Sequence, residues 1–288
     1  MKNTQYSLLS KFEGALVGLS AAQQARLGQT NATDALRSTF KNYVLLIGAS
    51  IESIIHCRAV KLDDWQLTTN RLISDDQIMV AILPIALYLH EDIPRLQATI
   101  QEIGSLYQLD AESMASMTFL VTGIAYLLTE RCPINDFIPQ TLSAISPDTL
   151  VYQQMQLIHD QVMVNPAPSN ITQLIGAITL ADQPYLMPIA MATYCFICNP
   201  TSLRLATQRA AHMPQQPPLT LALTGMLVGA AQGLSSIPPS WCIRDGSVTE
   251  LLIQLSGRLL AAWAGVYPTA MGIEHHHAIA APNVIQKR

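Results

Sequence analysis

The stretch from Leu221 to Trp241, LALTGMLVGAAQGLSSIPPSW, most constrains what this chain can fold into. Gly225, Gly229 and Gly233 recur every four residues among Leu223, Met226, Leu227, Val228 and Ala230. At helical spacing such glycines fall close to one face, and a face without side chains lets another backbone approach. Ile237-Pro238-Pro239 then stops the helix, and Trp241 packs after it. The stretch predicts a buried helix with a close neighbour on its glycine face.

Helical periodicity governs the rest of the chain, and strand patterns hardly occur. The first predicted helix, over 7–25, carries Leu8, Leu9, Phe12, Ala15, Leu16 and Leu19 as a broad apolar stripe. A second covers 43–57. Asp63-Asp64-Trp65 reads as a helix start, because carboxylates in the first turn accept free backbone N–H groups and favour the dipole. Ser74-Asp75-Asp76-Gln77 opens a helix running to about His90, which Pro84 must kink or interrupt. Further helices are predicted over 93–106, 112–128, 152–162, 171–181, 184–198, 201–211 and 247–264, with prolines punctuating the connections. The expectation is an all-α fold of about eleven helices, one domain over 1–265 followed by a tail over 266–288.

With half of its 288 residues hydrophobic, the chain can bury a large core. Only 12% of residues are charged and the net charge of -4 is spread without runs, so nucleic acid is not an expected partner. The mean hydropathy is positive, and the windows 113–129, 183–203 and 214–243 lack charge. Prolines cut the last two, and no Lys/Arg asymmetry flanks them, so buried core helices are expected rather than membrane spans. The N-terminus has no long apolar run, which places the chain in the cytoplasm. Five scattered cysteines suit reduced thiols; Cys195-Phe-Ile-Cys198 has redox or zinc spacing but no second pair. His275, His276 and His277 are consecutive and so point in different directions, which suits a surface tail better than a metal site. His56, His90 and His159 each sit inside helical patterns. No nucleophile elbow, phosphate loop or dinucleotide fingerprint occurs.

Lys11-Phe-Glu-Gly-Ala-Leu-Val-Gly-Leu19 resembles the opening of the ADP-ribosylglycohydrolases. The glycine-rich helix with its Ile-Pro-Pro-Ser-Trp ending is similar to that family's C-terminal core helix. Met79-Val-Ala-Ile-Leu-Pro-Ile-Ala-Leu87, followed by His90-Glu-Asp-Ile-Pro, is similar to its central segment. The resemblance spans about 10–265 and implies an all-α fold. It also implies two hard magnesium ions held by oxygen ligands, several of them carboxylates, which polarise the ribose beside the scissile bond.

At those carboxylate positions this chain departs from the family's pattern. Where the family continues Gly-Asp-Ala-Leu-Gly after the opening helix, this chain has Ala22-Gln23-Gln24-Ala25. Where it has Gly-Asp-Thr-Asp-Thr before the glycine-rich helix, counting back from Gly225 gives Gln215, Gln216, Pro217, Pro218 and Leu219. A third motif, Thr-Asp-Asp-Thr, opens the helix containing an Ala-Glu-Ser segment. If Ile51-Glu52-Ser53 is that segment, the motif falls on Lys41-Asn42-Tyr43-Val44 and is lost. Alternatively Ser74-Asp75-Asp76-Gln77 is the motif, and Asp75 and Asp76 survive as metal ligands. The distance to the C-terminal motif favours the first alignment.

The resemblance therefore implies a catalytically inactive member kept as a regulatory or binding module for a protein partner or a nucleotide-like ligand. Candidate ligand-binding residues are Gln23, Asn42, Ser74, Asp75, Asp76 and Gln216, with no catalytic residue, metal or cofactor expected. The alternative is a Mg²⁺-dependent hydrolase with a site rebuilt on Asp75 and Asp76, and a further one is a helical scaffold that forms homo-oligomers.

Overall fold

A computed structural model describes residues 6–23, 25, 34–69, 74–130, 132–164, 186–213, 218–244 and 246–266. Among the described residues the regular elements are helices alone. Helix α1 (Leu8–Ala21) starts where the Ser7 side chain accepts the Ser10 backbone N–H at 3.2 Å. Helix α2 (Asp34–Cys57) begins well before the predicted residue 43. Its extra turns hold because Leu36 and Phe40 continue the buried face of Tyr43, Val44, Ile47, Ile51 and Ile54. The predicted acidic start is found in α3 (Leu62–Thr69), but Asp64 also accepts the Ser53 hydroxyl at 2.6 Å and so ties α3 to α2. Buried Trp65 adds a second tie by donating to the Ser50 hydroxyl at 2.8 Å.

The helix predicted to run from Ser74 to about His90 is divided into α4 (Asp75–Ala81) and α5 (Leu83–Tyr88), with Pro84 in the first turn of α5. The break falls just before the proline, whose ring cannot follow an unbroken helix. His90 stands in the turn after α5 rather than within a helix, buried between the Phe12 ring at 5.6 Å and the Trp263 ring at 5.0 Å. Helices α6 (Ile93–Tyr107) and α7 (Ala111–Thr129) begin at Asp92 and Asp110, whose carboxylates accept N–H groups of Arg95 and Ser113. Helix α8 (Phe137–Leu142), entered through a short 3₁₀ turn, has no counterpart in the periodicity because it is brief and contains Pro139.

Helix α9 (Leu150–Val164) receives its N-terminal cap from elsewhere in the chain. The Glu112 carboxylate of α7 accepts the backbone N–H groups of Leu150 and Val151, the shortest at 2.9 Å. There follow α10 (Leu186–Cys198), α11 (Leu203–Ala211), α12 (Pro218–Gln232), α13 (Pro239–Arg244) and α14 (Gly246–Trp263). The predicted helix over 171–181, Gln216 and the three tail histidines lie outside the described residues.

The core is organised on α12, which is buried from Leu219 to Ala230 and packs most extensively on α1. Its glycine face meets a matching one. A Cβ on Gly14 would lie 2.4 Å from the Gly229 carbonyl oxygen, and Gly18 meets Gly225 in the same way. The two helices are therefore antiparallel, with backbone against backbone. Lys11 lies buried at the other end of α1. Its ammonium donates to the Leu127 and Leu128 carbonyls at 2.9 and 3.3 Å and pairs with Glu130 at 2.8 Å, closing the C-terminus of α7. Among the described residues α7 is the one helix long and apolar enough to cross a membrane, but 78% of its apolar window is buried inside the protein.

Candidate functional site

The two stretches that compete for the third carboxylate motif touch each other. Tyr43 of α2 donates its hydroxyl to Asp76 Oδ2 of α4 at 3.0 Å. Tyr43 is only 1% exposed, and its ring meets Phe40 edge-on with centroids 5.8 Å apart. Burial first, and the Asp76 carboxylate second, hold the phenol well above its ordinary titration range, so it stays a neutral donor. The Ser74 hydroxyl donates to the other Asp76 oxygen, and the Ser74 backbone N–H donates to Gln77 Oε1 at 3.0 Å, closing the start of α4. Both oxygens of Asp76 are thus engaged by neutral hydroxyls.

Helix geometry decides where the neighbouring residues go. In the family the Thr-Asp-Asp-Thr stretch opens a helix, whereas α2 runs unbroken through Lys41-Asn42-Tyr43-Val44 from its start at Asp34. Successive side chains leave an α-helix about 100° apart. Tyr43 and Val44 therefore point inward, while Lys41 and Asn42 stand exposed. Gln23 is buried in the turn after α1, and its neighbour Ala22 packs against Gly225. Gln23 accordingly lies beside the first half of α12. That helix starts on Pro218, which has no backbone N–H and no side-chain oxygen to offer an ion.

The fold thus joins Ser74, Asp76 and a residue that sequence reasoning did not choose, Tyr43, and leaves Asn42 on the surface. Asp75 opens α4, but its side chain and Gln216 lie outside the described residues. Among the described residues no three His, Cys, Asp or Glu side chains converge as a metal site would require. Two hard cations need several anionic oxygens at once, and the described donors are amides, hydroxyls and one carboxylate that is already engaged. The described residues alone do not supply a two-magnesium centre. A cleft of about 260 Å³ opens elsewhere, against α8, α9 and α10, lined by Ile138, His159, Met163 and Ile197 among others.

An all-α core built on two antiparallel glycine-faced helices, with α2 meeting α4 through Tyr43 and Asp76, defines an all-helical scaffold. A family model described as ADP-ribosylglycohydrolase matches residues 9–269, and the chain belongs to that hydrolase family. No curated protein matches it.

Proposed function

We propose that this chain is a catalytically inactive member of the ADP-ribosylglycohydrolase family, acting as a regulatory or binding module. The observation that carries the reading is that α12 starts on Pro218, where the resemblance puts a family carboxylate, while both oxygens of Asp76 are engaged by Tyr43 and Ser74. A phenol held neutral can neither bind Mg²⁺ as an anion nor polarise a ribose through it. With both Asp76 oxygens engaged, this place offers a nucleotide-like ligand no free carboxylate, and we take a protein as the binding partner. Asp76 serves as an acceptor that joins α4 to α2, and Ser74 as the cap that holds it there.

Calorimetry of the purified chain tests this, with Mg²⁺ titrated first and ADP-ribose with Mg²⁺ second, beside an assay for release of ADP-ribose from a modified protein. The expected result is no metal uptake and no release. Coupled binding of Mg²⁺ and ADP-ribose, with release abolished by Asp75→Ala plus Asp76→Ala, overturns the reading in favour of a rebuilt hydrolase site. Binding of ADP-ribose without release keeps the module and changes its ligand from protein to nucleotide. A concentration-dependent oligomer without either ligand makes the partner another copy of the chain.

A further inference from the structure

Arg209, in the last turn of α11, is a cation without a counter-charge among the described residues. Its Nη1 donates to the Tyr194 hydroxyl of α10 at 3.3 Å, and its guanidinium carbon lies 5.7 Å from the Tyr194 ring centroid. Its Nε is buried and has no partner among the described residues. The ion pairs found there, Lys11 with Glu130 and Arg258 with Glu52, leave Arg209 out. A guanidinium stays charged at every pH the protein meets.

The ionisable groups beside it cannot neutralise it. Burial pushes the Tyr194 hydroxyl and the Cys195 and Cys198 thiols upward, although the guanidinium pulls each of them down. All three stay protonated at neutral pH, so among the described residues nothing offsets the charge of Arg209 at the edge of the core. A charge so placed is unfavourable unless it is paired and hydrogen-bonded. The spacing of the two thiols keeps them apart as long as α10 is intact. Side chains three apart on a helix have Cβ atoms about 5–6 Å apart. A disulfide needs roughly 3.5–4.5 Å, so α10 would have to unwind to form one.

We propose that Arg209 anchors a site between α10 and α11 for a small oxyanion, a phosphate or a carboxylate, sharing no residue with the place around Tyr43 and Asp76. Nη1 is spent on Tyr194, which also fixes the plane of the guanidinium. The edge formed by Nε and Nη2 is the fork that matches two oxygens of one anion. Tyr194, itself buried, holds that edge in place.

The test is a pair of titrations of the full chain, one with inorganic phosphate and one with acetate, followed by calorimetry and by the Nε–H resonance of Arg209. One anion is expected to bind saturably, to move that resonance with the same midpoint, and to bind at least about tenfold more weakly to Arg209→Met. Tighter phosphate binding assigns the site to phosphate groups, and tighter acetate binding to carboxylates. No saturable binding of either, an unmoved resonance, or equal affinity in Arg209→Met overturns the proposal. The wild-type resonance decides the matter even where Arg209→Met does not fold.

Discussion

Gly18 and Gly225 face each other with no side chain between α1 and α12: a Cβ on Gly18 would stand 2.4 Å, and one on Gly225 would stand 2.1 Å, from the other residue's carbonyl oxygen. Gly14 and Gly229 repeat the arrangement one turn along, at 2.4 and 1.8 Å. Replacing a mid-helical glycine by alanine ordinarily gains about 1 kcal/mol. Here the new methyl meets main chain, which cannot rotate away. Gly225→Ala and Gly229→Ala are each expected to lose at least roughly 2 kcal/mol net in urea unfolding, as overpacked cores do. Unchanged or raised stability would show that α1 and α12 are not in backbone contact.

Gly257 of α14 supplies the opposite case. A Cβ built there meets nothing within 4 Å. Gly257→Ala should therefore stabilise by roughly 0.5–1 kcal/mol, through helix propensity and a less flexible unfolded chain. A loss in the same unfolding experiment would mean that something outside the described residues packs on that face.

Lys11 joins α1 to α7 through its ammonium, and removing it leaves the Leu127 and Leu128 carbonyls without that donor. Lys11→Met is expected to cost about 2 kcal/mol for those buried acceptors. Glu130→Gln removes a partner whose side chain is 43% exposed, so it should cost less, under about 1 kcal/mol. Thermal unfolding of the two variants checks the order. The reverse order would place the stabilisation in the ion pair instead of the helix cap.

Cys132 makes a prediction about pH. Burial first, and the nearby Asp136 carboxylate second, push its thiol from 9.0 to about 11. The folded thiol keeps its proton after the unfolded one has lost it. Its contribution to stability is therefore complete below the ordinary thiol pKa and is lost as pH rises from 9.0 towards about 11. Alkylation of Cys132 by iodoacetamide, read by peptide mass, should keep accelerating up to about pH 11. Asp136→Asn should move that profile to lower pH. A plateau near the ordinary thiol value of 9.0 would contradict the burial.

How much was legible in the sequence depends on the range of the interaction. The four-residue glycine spacing announced a close backbone neighbour for α12, because one helical face can be read from local periodicity alone. That the neighbour is α1, through Gly14 and Gly18, is a pairing across most of the chain, and periodicity cannot express it. The start of α2 was hidden because Arg37, Ser38, Lys41 and Asn42 interrupt its apolar pattern, and only packing of Leu36 and Phe40 on the core shows those turns to be helical. At the site, Tyr43 and Asp76 entered as parts of rival alignments. They are partners in one hydrogen bond, and no spacing of residues signals that a phenol on one helix will meet a carboxylate on another.

Tyr43→Phe isolates that bond. The ring and its contact with Phe40 remain, while Asp76 loses one of its two hydroxyl donors. A hydrogen bond to a charged acceptor contributes roughly 1.5–3 kcal/mol, and Asp76 is only partly buried, so a loss near the lower figure is expected. The loss should be the same with and without Mg²⁺, because no three His, Cys, Asp or Glu side chains converge among the described residues to hold a cation with the freed oxygen. Thermal unfolding of wild type and Tyr43→Phe across a Mg²⁺ series measures both quantities. Should Mg²⁺ raise the melting temperature of Tyr43→Phe by several degrees and leave the wild type unmoved, the phenol would be standing in for a cation that the site can still take. The reading of this chain as an inactive family member would then have to give way to a metal site masked by one hydroxyl.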